Sequence, residues 1–220
     1  MKKLNNNPLT PTPVRDLSRL SPVERRQIML EKLATMTQCC SLCNLGRSLC
    51  VEKNTEFDPH VFSNLNFSKW MVIGQNPGFN ECMKNEPFVG DAGNFFEKCL
   101  TSYGLTRKHF YISNVVRCHS VGNAVPTEDQ IKSCRPILQM ELAIIRPTLI
   151  TTLGAVAFKA LCPTKRFRDS LGTIVHSEYG FKVFPIYHPS PRNMADQQRK
   201  KKFIRDVKML CKLIKAYQGS

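Results

Sequence analysis

Trp70-Met71-Val72-Ile73-Gly74 runs directly into Gln75-Asn76-Pro77-Gly78, and the reading of this stretch decides the fold. Four apolar residues closed by a glycine read as a short strand buried on both faces. The Asn-Pro-Gly turn breaks the run and leaves two side-chain amides at the strand's carboxyl end. The pattern repeats downstream. Tyr111–Val116 reads as a second strand carrying Asn114, Thr148–Leu153 as a third ending at Gly154, and Phe181–Tyr187 as a fourth ending at His188. Between them, a Gly-, Pro- and Asn-rich loop leads to a helix near Ala92–Tyr103 closed by Gly104. The capping box Thr127-Glu128-Asp129-Gln130 opens a helix to about Ile145, which Arg146-Pro147 stops, and Ala155–Leu161 is helical. Strands alternating with helices predict an α/β domain around a largely parallel sheet.

Upstream, Ser21-Pro22-Val23-Glu24 combines an N-cap, a first-turn proline and a capping-box glutamate. The helix it opens should run to about Thr37, with Ile28, Leu30, Leu33 and Met36 as its apolar positions. Residues 1–20, with three prolines, three asparagines and no apolar period, are expected to form a flexible arm, and 21–218 a single domain. Val51–Lys69 fits neither helix nor strand, because Phe57, Phe62 and Phe67 recur every five residues.

The odd polar residues follow strand ends, which in open parallel sheets form the ligand crevice. Gln75 and Asn76, Asn114, and His188 should therefore converge on one pocket. The chain's 220 residues are 42% hydrophobic, too apolar for a wholly disordered basic protein, and no apolar run is long enough to span a membrane. Lys and Arg number 32 against 17 Asp and Glu, a formal charge of +15 that calls for a polyanionic partner, nucleic acid first. Met1-Lys2-Lys3-Leu4 starts like a secretion signal, but polar Asn5-Asn6-Asn7 follows, so an intracellular location is expected, cytoplasmic or nucleoid/nuclear.

Nine Lys and Arg fall between Arg192 and Lys215, against Asp196 and Asp206. Lys201, Arg205, Lys208, Lys212 and Lys215 make one helical stripe, opposite the core-facing Phe203, Val207, Leu210, Ile214 and Tyr217. Arg192 and Arg199-Lys200-Lys201-Lys202, just past the His188 loop, are the expected phosphate contacts. Of ten cysteines, Cys82, Cys99, Cys162, Cys211 and Cys50 read as space-filling thiols. Cys40 and Cys43, beside Cys39, form a C-x2-C pair that Cys118 and Cys134 complete, a set suited to zinc or an iron–sulfur cluster.

These residues resemble the uracil-DNA glycosylase superfamily, in its iron–sulfur (family four) branch. The resemblance lies in Gly74-Gln75-Asn76-Pro77-Gly78, then Glu81, then Pro87-Phe88-Val89-Gly90-Asp91-Ala92-Gly93. It continues through Asn114-Val115-Val116-Arg117-Cys118, Cys134-Arg135-Pro136, Leu153-Gly154-Ala155 and His188-Pro189-Ser190, covering about residues 35–215. It implies a three-layer α/β/α fold with a central, mostly parallel four-stranded sheet, acting as a monomer on DNA with no membrane attachment. It implies removal of uracil by hydrolysis, leaving an abasic site, and a [4Fe–4S] cluster on Cys40, Cys43, Cys118 and Cys134, with zinc the alternative.

The resemblance also implies roles. Phe88, on a shaped and exposed loop, stacks on the flipped base; Asn114 reads the uracil O4 and N3–H; His188 donates toward O2 of the leaving base. Gly74 and Gly78 line the base site. In Pro191-Arg192-Asn193-Met194, a DNA-contacting segment, Arg192 or Met194 fills the gap left by the flipped base. Gln75 and Asn76 depart from the branch, which carries Glu and a small residue there. An amide cannot act as an efficient general base, so Asn76 would orient water and Gln75 would hold the base, with Glu81 the reserve carboxylate. His119 stands near the place of a histidine that bonds the sugar in a divergent branch, but its basic neighbours are missing, and simple hydrolysis is expected. Two alternatives remain: a glycosylase for another deaminated or modified base, and a catalytically silent DNA-binding member of the fold.

Overall fold

The computed structural model describes residues 20–218, so the expected arm lies outside the described residues except for Leu20. α1 (Pro22–Gln38) starts as its sequence predicts: the Ser21 hydroxyl accepts from the Glu24 amide at 3.3 Å, and the Ser21 amide donates to the Glu24 carboxylate at 2.7 Å. Its buried side is Leu30, Leu33 and Thr37. Met36, expected there, faces solvent, because it precedes Thr37 by one residue, a rotation of about 100°.

The unassigned stretch begins with an antiparallel hairpin, β1 (Cys50–Glu52) and β2 (Thr55–Phe57). The chain then runs extended beside the sheet, bridging His60 to Cys118 and Ser63 to Ser113. Phe57 and Phe62 are buried in different clusters, which is why their spacing matches no single face.

β3 (Trp70–Gly74) leads to α2 (Phe79–Lys84), a helix inside the stretch expected to be loop. Its six residues lie between Pro-Gly and a left-handed Asn85, too short to show a helical period. α3 (Asp91–Thr101), β4 (Tyr111–Asn114), α4 (Glu128–Ile145), β5 (Leu149–Leu153) and α5 (Ala155–Leu161) follow the predicted order. Then come α6 (Phe167–Ser170), β6 (Val175–His176), β7 (Lys182–Ile186), α7 (Pro191–Met194) and α8 (Gln197–Gln218).

The sheet order is β4-β3-β5-β7-β6. The four anticipated strands are parallel, and the two-residue β6 adds an antiparallel fifth at the edge, too short to be legible as a period. Alternation along β3 sends Met71 and Ile73 to one face and Val72 to the other. α1, α4 and α5 cover the first face; α3 and α8 cover the second, giving the three-layer α/β/α arrangement. On α8, Phe203, Val207, Leu210 and Ile214 are fully buried, whereas Tyr217, expected with them, is at the rim against Trp70. Among the described residues no helix is long and apolar enough to cross a membrane.

One polar knot lies inside the first layer. Glu141 of α4 is fully buried and paired with buried Arg117. It also accepts from the Tyr111 hydroxyl at 2.5 Å and the Ser113 hydroxyl at 2.8 Å. Burial raises the Glu141 carboxyl's pKa, and Arg117 opposes that shift. Removing one partner strands a buried charge, which costs about 3–5 kcal/mol. Glu141→Leu should lose stability on that scale in urea unfolding, and adding Arg117→Met should restore much of it.

Candidate active site

The carboxyl ends of β3, β4, β5 and β7 open into one cavity of about 1240 Å³. Gln75, Asn76, Gly78, Phe88, Asn114 and His188 all line it, so the predicted convergence is present. Parallel pairing sets Gly74 directly beside Asn114. A Cβ on Gly74 would lie 2.4 Å from the Phe88 ring and 2.5 Å from the Asn114 Oδ1. Only a hydrogen there lets ring and amide close over the strand end. Asn114 is 1% exposed, and its side chain lines the cavity.

Phe88 is not on an exposed loop as the sequence suggested: it is 8% exposed and left-handed, at φ 57°. Its surroundings impose that conformation. Arg107 donates to the carbonyls of Pro87 and Phe88 and pairs with Glu86 at 2.9 Å. A Cβ on Gly93 would meet the Phe88 carbonyl oxygen at 1.8 Å, so the first turn of α3 presses on this backbone. The ring's centroid is 6.5 Å from that of His188.

Glu81 is not free to activate water. Its carboxylate accepts from the amides of Gly78 at 3.1 Å, Val89 at 2.9 Å and Gly90 at 2.7 Å, stapling the motif turn to the Phe88 loop. Nor does His119 face the cavity. It is fully buried, with Nδ1 3.0 Å from the Pro77 carbonyl and Nε2 2.7 Å from Glu52, beneath the motif turn. The His119–Glu52 hydrogen bond is the main cause holding the Glu52 carboxyl below its ordinary pKa.

Gln75 Nε2 donates to Asn76 Oδ1 at 2.9 Å, and Asn76 Nδ2 donates to the Pro77 carbonyl at 3.3 Å. The motif therefore presents a pre-ordered amide pair. Burial pushes the His188 pKa below its ordinary value, with the Glu81 charge opposing, which favours the neutral imidazole. Asn193 Nδ2 holds the His188 carbonyl at 3.0 Å, and Ser190 caps α7.

The basic residues divide. Arg199 lines the cavity, lies over the Tyr187 ring at 5.9 Å and donates to Asn193 at 3.1 Å. Lys202 also borders the cavity, but its ammonium is engaged inward, on the Leu171 carbonyl at 3.1 Å and Asp206 at 3.0 Å. Lys200 lies 5.9 Å over the Phe95 ring, and Lys201 is exposed. Pro191 lines the cavity; Arg192 is exposed beside it. Lys53, Asn123, Arg168 and Arg205 also line it, although no motif marks them. For Arg205 the one signal in the sequence was its place in the α8 stripe, one helical turn beyond Lys201.

Cys40 and Cys43 leave α1, Cys118 follows β4, and Cys134 lies in α4. Burial first, then the neighbouring Cys134, Cys43 and Cys40, raise the Cys118 thiol. His60 ties their segments together: Nε2 is 3.1 Å from the Cys40 carbonyl while its backbone bridges Cys118. A Cβ on Gly46 would lie 2.4 Å from the Cys40 carbonyl oxygen, so this turn is tightly folded. Among the described residues no three His, Cys, Asp or Glu side chains stand at ligating geometry. Cys39 is exposed. The space-filling thiols are as expected, burial pushing Cys82 up to about 12 and Cys211 to about 11.

The family model described as "Uracil DNA glycosylase superfamily" matches residues 61–209, the span that builds most of this cavity. The chain belongs to the uracil DNA glycosylase superfamily. Within it, the chain is similar to the Type-4 uracil-DNA glycosylase of Saccharolobus solfataricus, 36% identical over 54% of this chain and 60% of the relative. It is also similar to those of Archaeoglobus fulgidus, 29% identical over 73% of this chain and 81% of the relative, and Thermotoga maritima, 29% over 80% and 90%. The matched part thus spans less than two thirds of the Saccharolobus protein but most of the other two.

The Glu81 staple yields a test. Glu81→Ala strands three loop amides and should cost about 3 kcal/mol. Native-state hydrogen exchange should show the Val89 and Gly90 amides losing protection while the β3 and β5 amides keep theirs.

Proposed function

We propose that this chain is a monofunctional DNA glycosylase that flips uracil out of DNA and hydrolyses its glycosidic bond, leaving an abasic site. The observation that carries this reading is the buried Asn114 side chain set beside the Phe88 ring over Gly74, in one cavity with His188, whose burial lowers its pKa. Extrusion of the nucleotide costs a few kcal/mol, which stacking against Phe88 offsets in part. The Asn114 amide can donate to O4 and accept from N3–H, a pairing that cytosine's amino group disrupts.

As the C1′–N1 bond breaks, its electron pair leaves with the base, and negative charge spreads onto O2. His188, neutral and carrying one N–H, donates there without losing its proton. Water then adds to C1′, and its proton passes to solvent. The Gln75–Asn76 amides can orient that water but cannot take the proton. Of the cavity's carboxylates, Glu81 is stapled, Asp196 caps α8 and Asp91 is exposed on α3. Catalysis therefore rests on stabilising the departing base more than on activating water.

A labelled oligonucleotide with one uracil should break at that position after incubation and alkali. No cleavage in single strands or in U·A and U·G duplexes would exclude the uracil assignment. His188→Ala should slow single-turnover release by roughly 10²–10³-fold, as loss of one oxyanion donor does. Since burial lowers its pKa, His188 should protonate at a pH below the ordinary histidine range near 6.5. The acid limb of the rate profile should lie below that range and be absent from His188→Ala.

A second reading follows from the amide pair, which offers a donor and an acceptor where a carboxylate offers acceptors alone. It is a glycosylase for another deaminated base, separated by running the same assay with hypoxanthine and xanthine.

The chemistry of four cysteines fits a [4Fe–4S] cluster held by Cys40, Cys43, Cys118 and Cys134, with zinc the competing occupant. Bound there, it would supply a cross-link among α1, the β4 end and α4. Metal and acid-labile sulfide analysis of anaerobically purified protein should give iron and sulfide; zinc without sulfide would overturn the cluster. Cys118→Ser should lose the metal and melt earlier.

A further inference from the structure

The β1–β2 hairpin stands on the cavity's rim, and no motif explains it. Its turn, Lys53-Asn54, is left-handed at both residues, φ 53° and 57°. Such two-residue turns favour Asn-Gly, and a lysine there costs about 1 kcal/mol. The hairpin is nevertheless held firmly. Glu52 accepts from His119 at 2.7 Å and from the Gly122 amide at 3.1 Å, and the Phe57 ring meets Phe79 edge-on at 5.3 Å. The Lys53 ammonium sits 4.4 Å over the Phe79 ring and lines the cavity.

The strand order places this hairpin and the Arg199–Arg205 face on opposite lips. Lys53 packs beside the elements that follow β3 and β4, whereas α7 and α8 follow β7. The neighbouring Glu52 feels the Lys53 charge but bonds His119, and among the described residues the ammonium has no carboxylate at ion-pair distance. The cavity, at about 1240 Å³, exceeds the roughly 300–1,000 Å³ of a site for one small ligand. A strand crossing it would pass both lips.

We infer that Lys53 is a phosphate-contacting residue, with the hairpin forming the second lip of a two-sided clamp on the DNA backbone flanking the extruded nucleotide. This rests on the reading of the chain as acting on DNA. Glu52, through His119, ties the clamp to the Pro77 carbonyl of the motif turn, so backbone contact and base pocket are built on one support.

The test is fluorescence anisotropy of a duplex bearing a tetrahydrofuran abasic-site analogue, which the enzyme cannot cleave, titrated at several salt concentrations. Lys53→Gln should weaken binding several-fold and make the log–log salt slope shallower by about 0.9, the release expected for one phosphate contact. Lys53→Arg should keep the wild-type slope. Lys32→Gln, an exposed lysine of α1 outside the cavity, should leave affinity and slope unchanged. An unchanged slope in Lys53→Gln overturns the proposal, whether or not affinity falls, as does an equal loss in Lys32→Gln. Wild-type protein that fails to bind the duplex at all overturns the DNA-acting reading itself.

Discussion

The close approach of Phe88 and Asn114 over Gly74 is the constraint on which the rest of the site depends. Parallel pairing brings Asn114 level with Gly74, and the missing side chain lets an aromatic face and an amide share the space above one strand end. A base entering that space finds a stacking surface and a hydrogen-bonding edge already set at a fixed separation. Keeping the arrangement requires strain. Phe88 is left-handed, and Arg107, Glu81 and the first turn of α3 hold it so. Strain of this kind persists only where the surroundings over-determine it, which explains why so many contacts converge on one loop.

The polar groups around the cavity fall into two kinds, and their hydrogen bonds tell them apart. Glu81, His119 and Lys202 each look chemical when read as residue types near a motif, yet each bonds inward, to the protein itself. Asn114 and His188 instead line the cavity, and burial lowers the His188 pKa, favouring its neutral form. The base pocket is therefore lined by neutral groups suited to charge that appears during reaction, while Glu81, His119 and Lys202 serve its scaffold.

Inward bonding also connects the pocket to the cysteines. Arg117, next to Cys118 in the chain, pairs with the buried Glu141, and His60 joins the Cys40 turn to the segment bearing Cys118. The segment 58–63, which carries neither a helical nor a strand period, is thus the seam between the thiol region and the sheet. Its pattern was illegible because its residues answer to two different neighbours. Phe57 belongs to the hairpin cluster and Phe62 to the sheet core.

By itself the sequence determined the alternation of strands and helices, the capping of α1 and α4, and the placing of Gln75, Asn76, Asn114 and His188 at strand ends. Those features are local: apolar runs, capping boxes and glycines act over a few residues, so they can be read from neighbours in the chain. Tertiary structure alone decided that Phe88 is buried, that Glu81 is a staple, that β6 extends the sheet and that Lys53 stands on the cavity rim. Each of these depends on groups distant in sequence, such as Arg107 for Phe88, β7 for β6, and His119 for the hairpin, and no period in the chain encodes a partner that far away.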